Sequence, residues 1–408
     1  MPNKNLSFIL SLLLWLLPWS ALAQMLTVSG TVRDDRQQLA FASVTIKGST
    51  LGTITNEDGF FSLKIPYTDN EISIVVSHVG YRSAVTTARA SDAHDLKIYL
   101  KPHIAVLSES LVLSMDAESI VREALQMVKK NYPSTSVSQC GFYRETVRKG
   151  NKYLTVSEAV IDIFKWPYSR DVAADRVSIL KGRRLVNQRA DTLTAKLQGG
   201  PNLALNLDVV KNYNDLFYPD DLSKYHYTMD TPTVIDQKDV YVINMTPRFH
   251  NDRYPLYYAK LFIDRESLAI MRAEYRVDME RPDLVTTSIL RRKPAGLKFS
   301  PQEVSFIASY RKVGDMTVLH YVRESMRFKC TWKKRFFNSA YSIVSEMVAT
   351  DIKTEDVEQI PLKYSFRSKD IFEDKVDDFS DPDFWGDYNI LEPSESLEHA
   401  VDRLRKRR

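Results

Sequence analysis

The stretch from Met316 to Phe328 constrains this chain most, because its side chains alternate. Leu319, Tyr321, Arg323, Ser325 and Arg327 fall on one side of an extended strand, and His320, Val322, Glu324, Met326 and Phe328 on the other. Runs rich in aromatic and β-branched residues recur at Phe142–Val147, Tyr153–Phe164, Val240–Met245, Tyr257–Asp264, Ile270–Val277, Val304–Tyr310 and Tyr341–Thr350. Alternation of this kind belongs to antiparallel strands with one wet and one buried face. From Gly141 to about Phe366 the expectation is therefore a large antiparallel sheet, its apolar face covered by a helix or a second layer. Asp116 to Lys130 reads as that helix, with Ile120, Val121, Ala124, Leu125 and Val128 on one face, Ser114 or Asp116 as cap and Pro133 as stop.

Residues 25–102 read differently, as short strands of five to seven residues between turns such as Asp34-Asp35, Gly48-Ser49-Thr50 and Asn56-Glu57-Asp58-Gly59. This pattern predicts a small β-sandwich. Val28-Ser-Gly-Thr-Val-Arg-Asp34, Leu39 to Gly48, Leu51-Gly-Thr-Ile-Thr-Asn-Glu-Asp-Gly-Phe-Phe-Ser-Leu63 and Ser77-His-Val-Gly-Tyr81 resemble the carboxypeptidase regulatory-like domain. The resemblance implies a transthyretin-like sandwich acting as an adhesive, folding-assisting or docking module, without peptidase activity of its own. Leu39-Ala40-Phe41 stands where that family commonly has a proline. Ala117 to Ala124, Gly141-Phe-Tyr-Arg-Glu145, Glu158-Ala-Val160 and Phe384-Trp-Gly-Asp-Tyr-Asn-Ile-Leu-Glu-Pro393 resemble an uncharacterised family of Gram-negative envelope proteins, in which a regulatory-like domain precedes a β-rich one. More loosely, Ala259 to Glu274 is similar to strand pairs of the half-barrel lipoprotein carriers.

Residues 1–23 carry one Lys, an apolar stretch broken by Pro18, and Ala21-Leu22-Ala23, which together read as a secretory signal cleaved after Ala23. Gln24 would then begin the mature chain, with no Cys at the junction to accept a lipid. No later apolar run approaches a membrane span. The expected location is the periplasm or the outer membrane of a Gram-negative bacterium. Export permits a disulfide between Cys140 and Cys330, and two separately buried thiols are the alternative.

The net charge of +4 is too small an excess to imply nucleic acid, and no nucleic-acid partner is expected; five of the last six residues are basic, so without them the balance is −1 and the excess is a terminal patch. Catalytic signatures are missing. The chain has no G-x-S-x-G, phosphate loop, G-x-G-x-x-G or H-E-x-x-H, and none of its seven His has Glu three positions on, so a carboxypeptidase zinc site cannot be assembled. Asp378, Asp381, Asp383 and Asp387 lack calcium-loop spacing, and Asp264 with Glu266 reads as a hairpin turn. The most suggestive cluster is aromatic, with Tyr213, Tyr218, Tyr225, Tyr227, Tyr241, Tyr254, Tyr257 and Tyr258 close in sequence. Such rings line sugar or protein interfaces, or fill half-buried sheet positions.

The expectation is a mainly β chain: a signal at 1–23, a transthyretin-like sandwich at 25–102, a linker and amphipathic helix at 103–135, a larger α+β domain with an antiparallel sheet at 136–370, and an acidic linker with a basic helix at 371–408. In function it reads as a non-catalytic exported binding or docking protein without cofactor or metal, whose partner is an envelope protein, glycan or lipid component. A lipid- or lipoprotein-handling half-barrel and an unrecognised hydrolase are the alternatives.

Overall fold

The computed structural model describes residues 24–103, 116–187, 200–213, 216–289, 296–332, 339–379 and 385–405. The signal segment with its Ala23 junction, Asp381, Asp383 and the last three basic residues lie outside them.

The sandwich closes as its alternation requires. One sheet orders β4 (Phe60–Pro66), β1 (Met25–Arg33) and β8 (Leu96–Tyr99), and the other β3 (Gly52–Ile54), β2 (Ser43–Ile46), β5 (Ile72–Ser77) and β7 (Ala84–Ala88). A two-stranded piece pairs β6 (Tyr81–Arg82) with β9 (Lys101–Pro102). Val28, Val32, Val44, Phe61, Leu63 and Ile74 form the core between them. Gly30 serves close approach: a Cβ there would lie 2.3 Å from the Leu96 carbonyl oxygen of the parallel neighbour. Gly59, at φ +73°, turns the chain between β3 and β4, while the Asn56 side chain accepts from the Asp58 and Phe60 amides.

The remaining strands form one ten-stranded antiparallel sheet. Its order is β12 (Arg176–Val186), β11 (Lys152–Lys165), β10 (Val137–Lys149), β19 (Ser339–Lys353), β18 (Met316–Trp332), β17 (Leu297–Val313), β16 (Ile270–Val277), β15 (Tyr257–Asp264), β14 (Lys238–Pro247) and β13 (Tyr225–Ile235). One face carries the main core. It is covered by α1 (Ala117–Gln126), α2 (Val128–Asn131), α3 (Gly200–Asn206) and by Phe217, Phe366, Phe372 and Val376. Asp116 caps α1 by accepting from the Glu118 amide, and the helix breaks at Met127, so the single expected helix is two.

The other face, expected to be wet, is instead covered in part by the sandwich. Tyr143 joins the core under the helices, whereas its neighbour Phe142 joins Ile54 of the sandwich and Leu391 of the tail. The alternation in β18 also shifts phase. Register slips between Ser309 and Tyr310 leave His320 unpaired, so Leu319 and Val322 enter the same core while Tyr321 faces the sandwich. Asp264 does form the expected turn, accepting from the Glu266 amide. The final helix α4 (Glu395–Arg405) buries the expected stripe of Leu397, Ala400, Val401 and Leu404.

Both cysteines are free. Cys140 pairs with Asp351 and Cys330 with Ser339 of the same strand β19, which places them roughly 40 Å apart at about 3.3 Å per residue. A disulfide requires Cα atoms within about 7 Å, so the open choice resolves to two separate thiols. Burial pushes the Cys140 thiol up to about 12, with Asp162 adding to the rise, and burial also raises Cys330. The native protein should therefore resist alkylation at both thiols, and each should label once guanidinium is added; intact mass spectrometry before and after denaturation checks this.

Candidate functional site

The seam between sandwich and sheet is where long-range polar contacts gather. Its centre is Arg144 of β10, 3% exposed in the strand row Glu158–Arg144–Glu346. Its Nε donates to Glu158 at 2.7 Å, one terminal nitrogen approaches Glu346 at 3.4 Å, and the other donates to the Leu391 carbonyl at 2.6 Å. Arg183 donates to the second oxygen of Glu158 at 2.5 Å, and Arg323 bridges Glu346 at 3.1 Å to Glu57 of the sandwich at 3.0 Å. Burial alone would depress the Arg144 guanidinium, but the facing Glu158 and Glu346 outweigh it and leave its pKa raised. Burial would likewise raise Glu158, and Arg144 and Arg183 reverse that.

A tail segment straps the seam. Trp385 stands edge-on to Phe142, and the Arg183 guanidinium lies over its ring. Asn389 accepts from the Lys64 amide at 2.6 Å and donates to the Lys64 carbonyl at 2.9 Å, thereby pairing the outer edge of β4. Asn56 donates to the Pro393 carbonyl, and Asp58 accepts from the Glu395 amide at the start of α4. Replacing Asn389 by Ala removes two hydrogen bonds to a partly buried strand edge; a loss of about 1–3 kcal/mol is expected, read as a lower urea midpoint.

Two clefts open along this seam. One, of about 510 Å³, lies among Phe41, Asn56, Arg144, Arg148, Arg323 and Glu392. The other, of about 470 Å³, lies between the Ser77–Val79 turn of the sandwich and residues of β16, β17 and β18. None of the eight tyrosines singled out in the sequence lines either one. Tyr225 and Tyr241 are buried, and Tyr213, Tyr227 and Tyr257 pack against the main core. Tyr258 lies under the Arg276 guanidinium at 4.2 Å. Tyr218 and Tyr254 are exposed, and the Tyr254 hydroxyl donates to Asp221 at 2.7 Å.

Two further charge groups escaped sequence reasoning. Lys165 and Lys211 meet Asp175 and Asp208 in the interior, with Lys165 3.0 Å from Asp208 and Lys211 2.5 Å from Asp175. The hydroxyls of Tyr168 and Tyr310 donate to Asp208 at 2.7 and 2.9 Å. Glu145, Ser345 and Glu324 stand in register across β10, β19 and β18. Burial pushes Glu145 up to about 8 against the hydrogen bond from Tyr143, and burial pushes Glu324 up to about 7. The sequence signal for Lys165, Glu145 and Glu324 was a charged residue inside an apolar strand run, whereas Asp175, Asp208 and Lys211 stand outside the strands and gave none. Among the described residues no group of three or more His, Cys, Asp or Glu is placed to hold a metal, and no helix is long and apolar enough to cross a membrane.

Comparison with known proteins places the sandwich. Residues 28–112 match the CarboxypepD_reg-like domain. Over 94 residues the chain is 36% identical to the TonB-dependent receptor SusC of Bacteroides thetaiotaomicron, a stretch covering 23% of this chain and 9% of the receptor. The chain thus spans under a tenth of the curated relative it matches. Among solved structures, a DUF1329 family protein from Desulfovibrio piger is 12% identical, with 60% of this chain and 96% of that chain covered at a TM-score of 0.26. A LolA superfamily protein from Nitrosomonas europaea is 13% identical, with 62% and 99% covered at 0.24. These scores are too low to mark a shared fold.

Proposed function

We propose that this chain is a non-catalytic exported binding protein of the cell envelope, docking an envelope protein through its regulatory-like sandwich. The observation that carries the reading is how the sandwich is held. Its Asn56–Gly59 turn and the edge of β4 are locked to the sheet and the tail, while β7 and β8 remain sheet edges that present Val85 and Tyr99, 54% and 55% exposed. An exposed strand edge with apolar side chains suits addition of an extended segment from a partner. The match of residues 28–112 and the stretch shared with SusC support an envelope setting. The closed pairing of Lys165, Lys211, Asp175 and Asp208 supports a structural use of these buried charges rather than chemistry.

The test is crosslinking of the mature protein within intact envelopes. A discrete crosslinked partner is expected, and it should vanish with Val85→Glu plus Tyr99→Asp at unchanged melting temperature. Absence of any partner with the wild type, or its retention by the double variant, overturns the reading. Native mass spectrometry addresses the lipid alternative, since the sheet face that would hold acyl chains carries α1, α2 and α3. The bare polypeptide mass is expected.

A further inference from the structure

The nine strands of the sandwich carry charge of one sign only. They contain five basic residues, Arg33, Lys64, Arg82, Lys97 and Lys101, and no acidic one; every acid between Met25 and Pro102 lies outside the strands. Lys64 belongs to the β4 edge that the tail straps. The other four gather on the open side, around the edge strand β8. Strand register sets Arg33 beside Tyr99 and Arg82 beside Lys101, and the Arg33 guanidinium lies over the Tyr99 ring at 5.7 Å. Lys97, Tyr99 and Lys101 are all exposed and recur at every second position, so they form one ridge with about 6.6 Å between neighbours.

These cations are not used up inside the protein. Arg33 donates to the Asp34 backbone carbonyl at 3.2 Å and Arg82 to the His103 ring at 3.3 Å, and among the described residues none of the four meets a carboxylate in an ion pair. Asp34, the acid next to the ridge, is occupied: it accepts from the Tyr81 hydroxyl and from the Arg36 and Gln37 amides at 2.7 Å each. The Leu100 amide turns inward to the Arg33 carbonyl at 2.9 Å, so by alternation the peptide groups of Lys97 and Tyr99 point to the free edge. A strand added there would set its own side chains about 5 Å from Lys97 and Tyr99, where opposite charges attract and like charges repel. A second copy of this edge would bring cations against cations, which disfavours self-pairing. We infer that the β8 edge receives an acidic extended segment of an envelope protein, with carboxylates at alternate positions toward Lys97 and Lys101 and an apolar residue between them over Tyr99. The inference rests on the docking reading above and names the kind of segment that docks.

The mature protein would be titrated, by fluorescence anisotropy, against the peptide Thr-Glu-Thr-Val-Thr-Glu-Thr carrying a neutral dye, its lysine-for-glutamate counterpart and its proline-for-valine counterpart, beside vesicles of phosphatidylglycerol. The acidic peptide should bind at least about fivefold more tightly than the lysine peptide and lose that advantage as salt is added. The proline peptide, with the same charge but one strand donor fewer, should bind more weakly, and the vesicles should not retain the protein. Lys97→Glu plus Lys101→Glu should invert the preference between the charged peptides at unchanged melting temperature, and should remove the partner in the envelope crosslinking experiment. Should that variant fail to fold, Lys97→Gln plus Lys101→Gln should level the two peptides. A crosslinked partner lost with Val85→Glu plus Tyr99→Asp yet kept by the charge reversal overturns this inference and leaves the docking reading standing, whereas absence of any partner with the wild type removes both. Equal or stronger binding of the lysine peptide, equal binding of the proline peptide, retention by the vesicles, or no binding of the acidic peptide at millimolar concentration overturns the inference as well.

Discussion

Replacing Arg144 by Ala is expected to destabilise the protein by about 3–5 kcal/mol, the range for breaking a buried ion pair on one side only. The change leaves Glu346 with Arg323 and Glu158 with Arg183, but each carboxylate loses its innermost partner while remaining under 10% exposed. It also strips the Leu391 carbonyl of its donor, which loosens the strap that Asn389 and Asn56 hold. Urea unfolding should show a much lower midpoint, and limited proteolysis should cut first near residues 385–394. Arg122→Ala provides the contrast. Its pair with Glu118 is one turn apart on the exposed side of α1, and such pairs are worth about 0.3–0.5 kcal/mol. If Arg144→Ala behaves like Arg122→Ala, the network is not what joins sandwich, sheet and tail.

How much of this was legible follows from what each residue type can announce. The period of two in β10, β11 and β14–β19 announced strands, and the stripe from Ile120 to Val128 announced a covering helix. The same logic implied one wet face, whereas the face carrying Arg144, Glu158, Arg323 and Glu346 lies against the sandwich and the tail. A charged residue at every second position ordinarily marks a solvent face, and here a second domain covers that face. Glu57 and Arg323 meet across 266 positions, a separation that no local pattern encodes. Local spacing was equally blind to the slip at Ser309 and Tyr310, which moved Tyr321 to the sandwich side. The segment Trp385 to Pro393 stood out in the sequence as a motif without a role; it proves to be the strap. The tyrosines, close in sequence, are spread over a buried core, strand positions and an exposed loop, because a hairpin sends successive aromatics to different faces.

Raising the pH from 6.5 to 8 should lower stability by about 2–3 kcal/mol, with Glu145 and Glu324 as the cause. Both carboxyls are buried, and each holds its proton in the folded state to a higher pH than in the unfolded chain, where the ordinary value is 4.5. Their contribution is therefore fully present below about pH 4.5 and is lost as the pH climbs through about 7 for Glu324 and about 8 for Glu145, at about 1.4 kcal/mol per unit for each group. The geometry agrees with protonated acids. Ser345 separates the two carboxyls, Glu373 adds a further negative charge and one oxygen of Glu324 has no partner, while the hydrogen bond that Tyr143 donates to Glu145 at 3.1 Å pulls the other way and is outweighed by burial. The chosen window avoids the main opposing groups. His320, held down to about 3, makes stability rise with pH only below its ordinary 6.5, and Lys211, lowered to about 8 by burial and Lys165, makes it rise only above 8. Glu145→Gln keeps an acceptor for the Tyr143 hydroxyl and cannot ionise. It should remove about 2 kcal/mol of the decline and exceed the wild type in stability at pH 8. Urea melts at pH 6.5, 7.25 and 8 read both effects, and a wild-type profile that is flat, or one that Glu145→Gln leaves unchanged, would mean that the buried pair is already ionised and compensated in the native state.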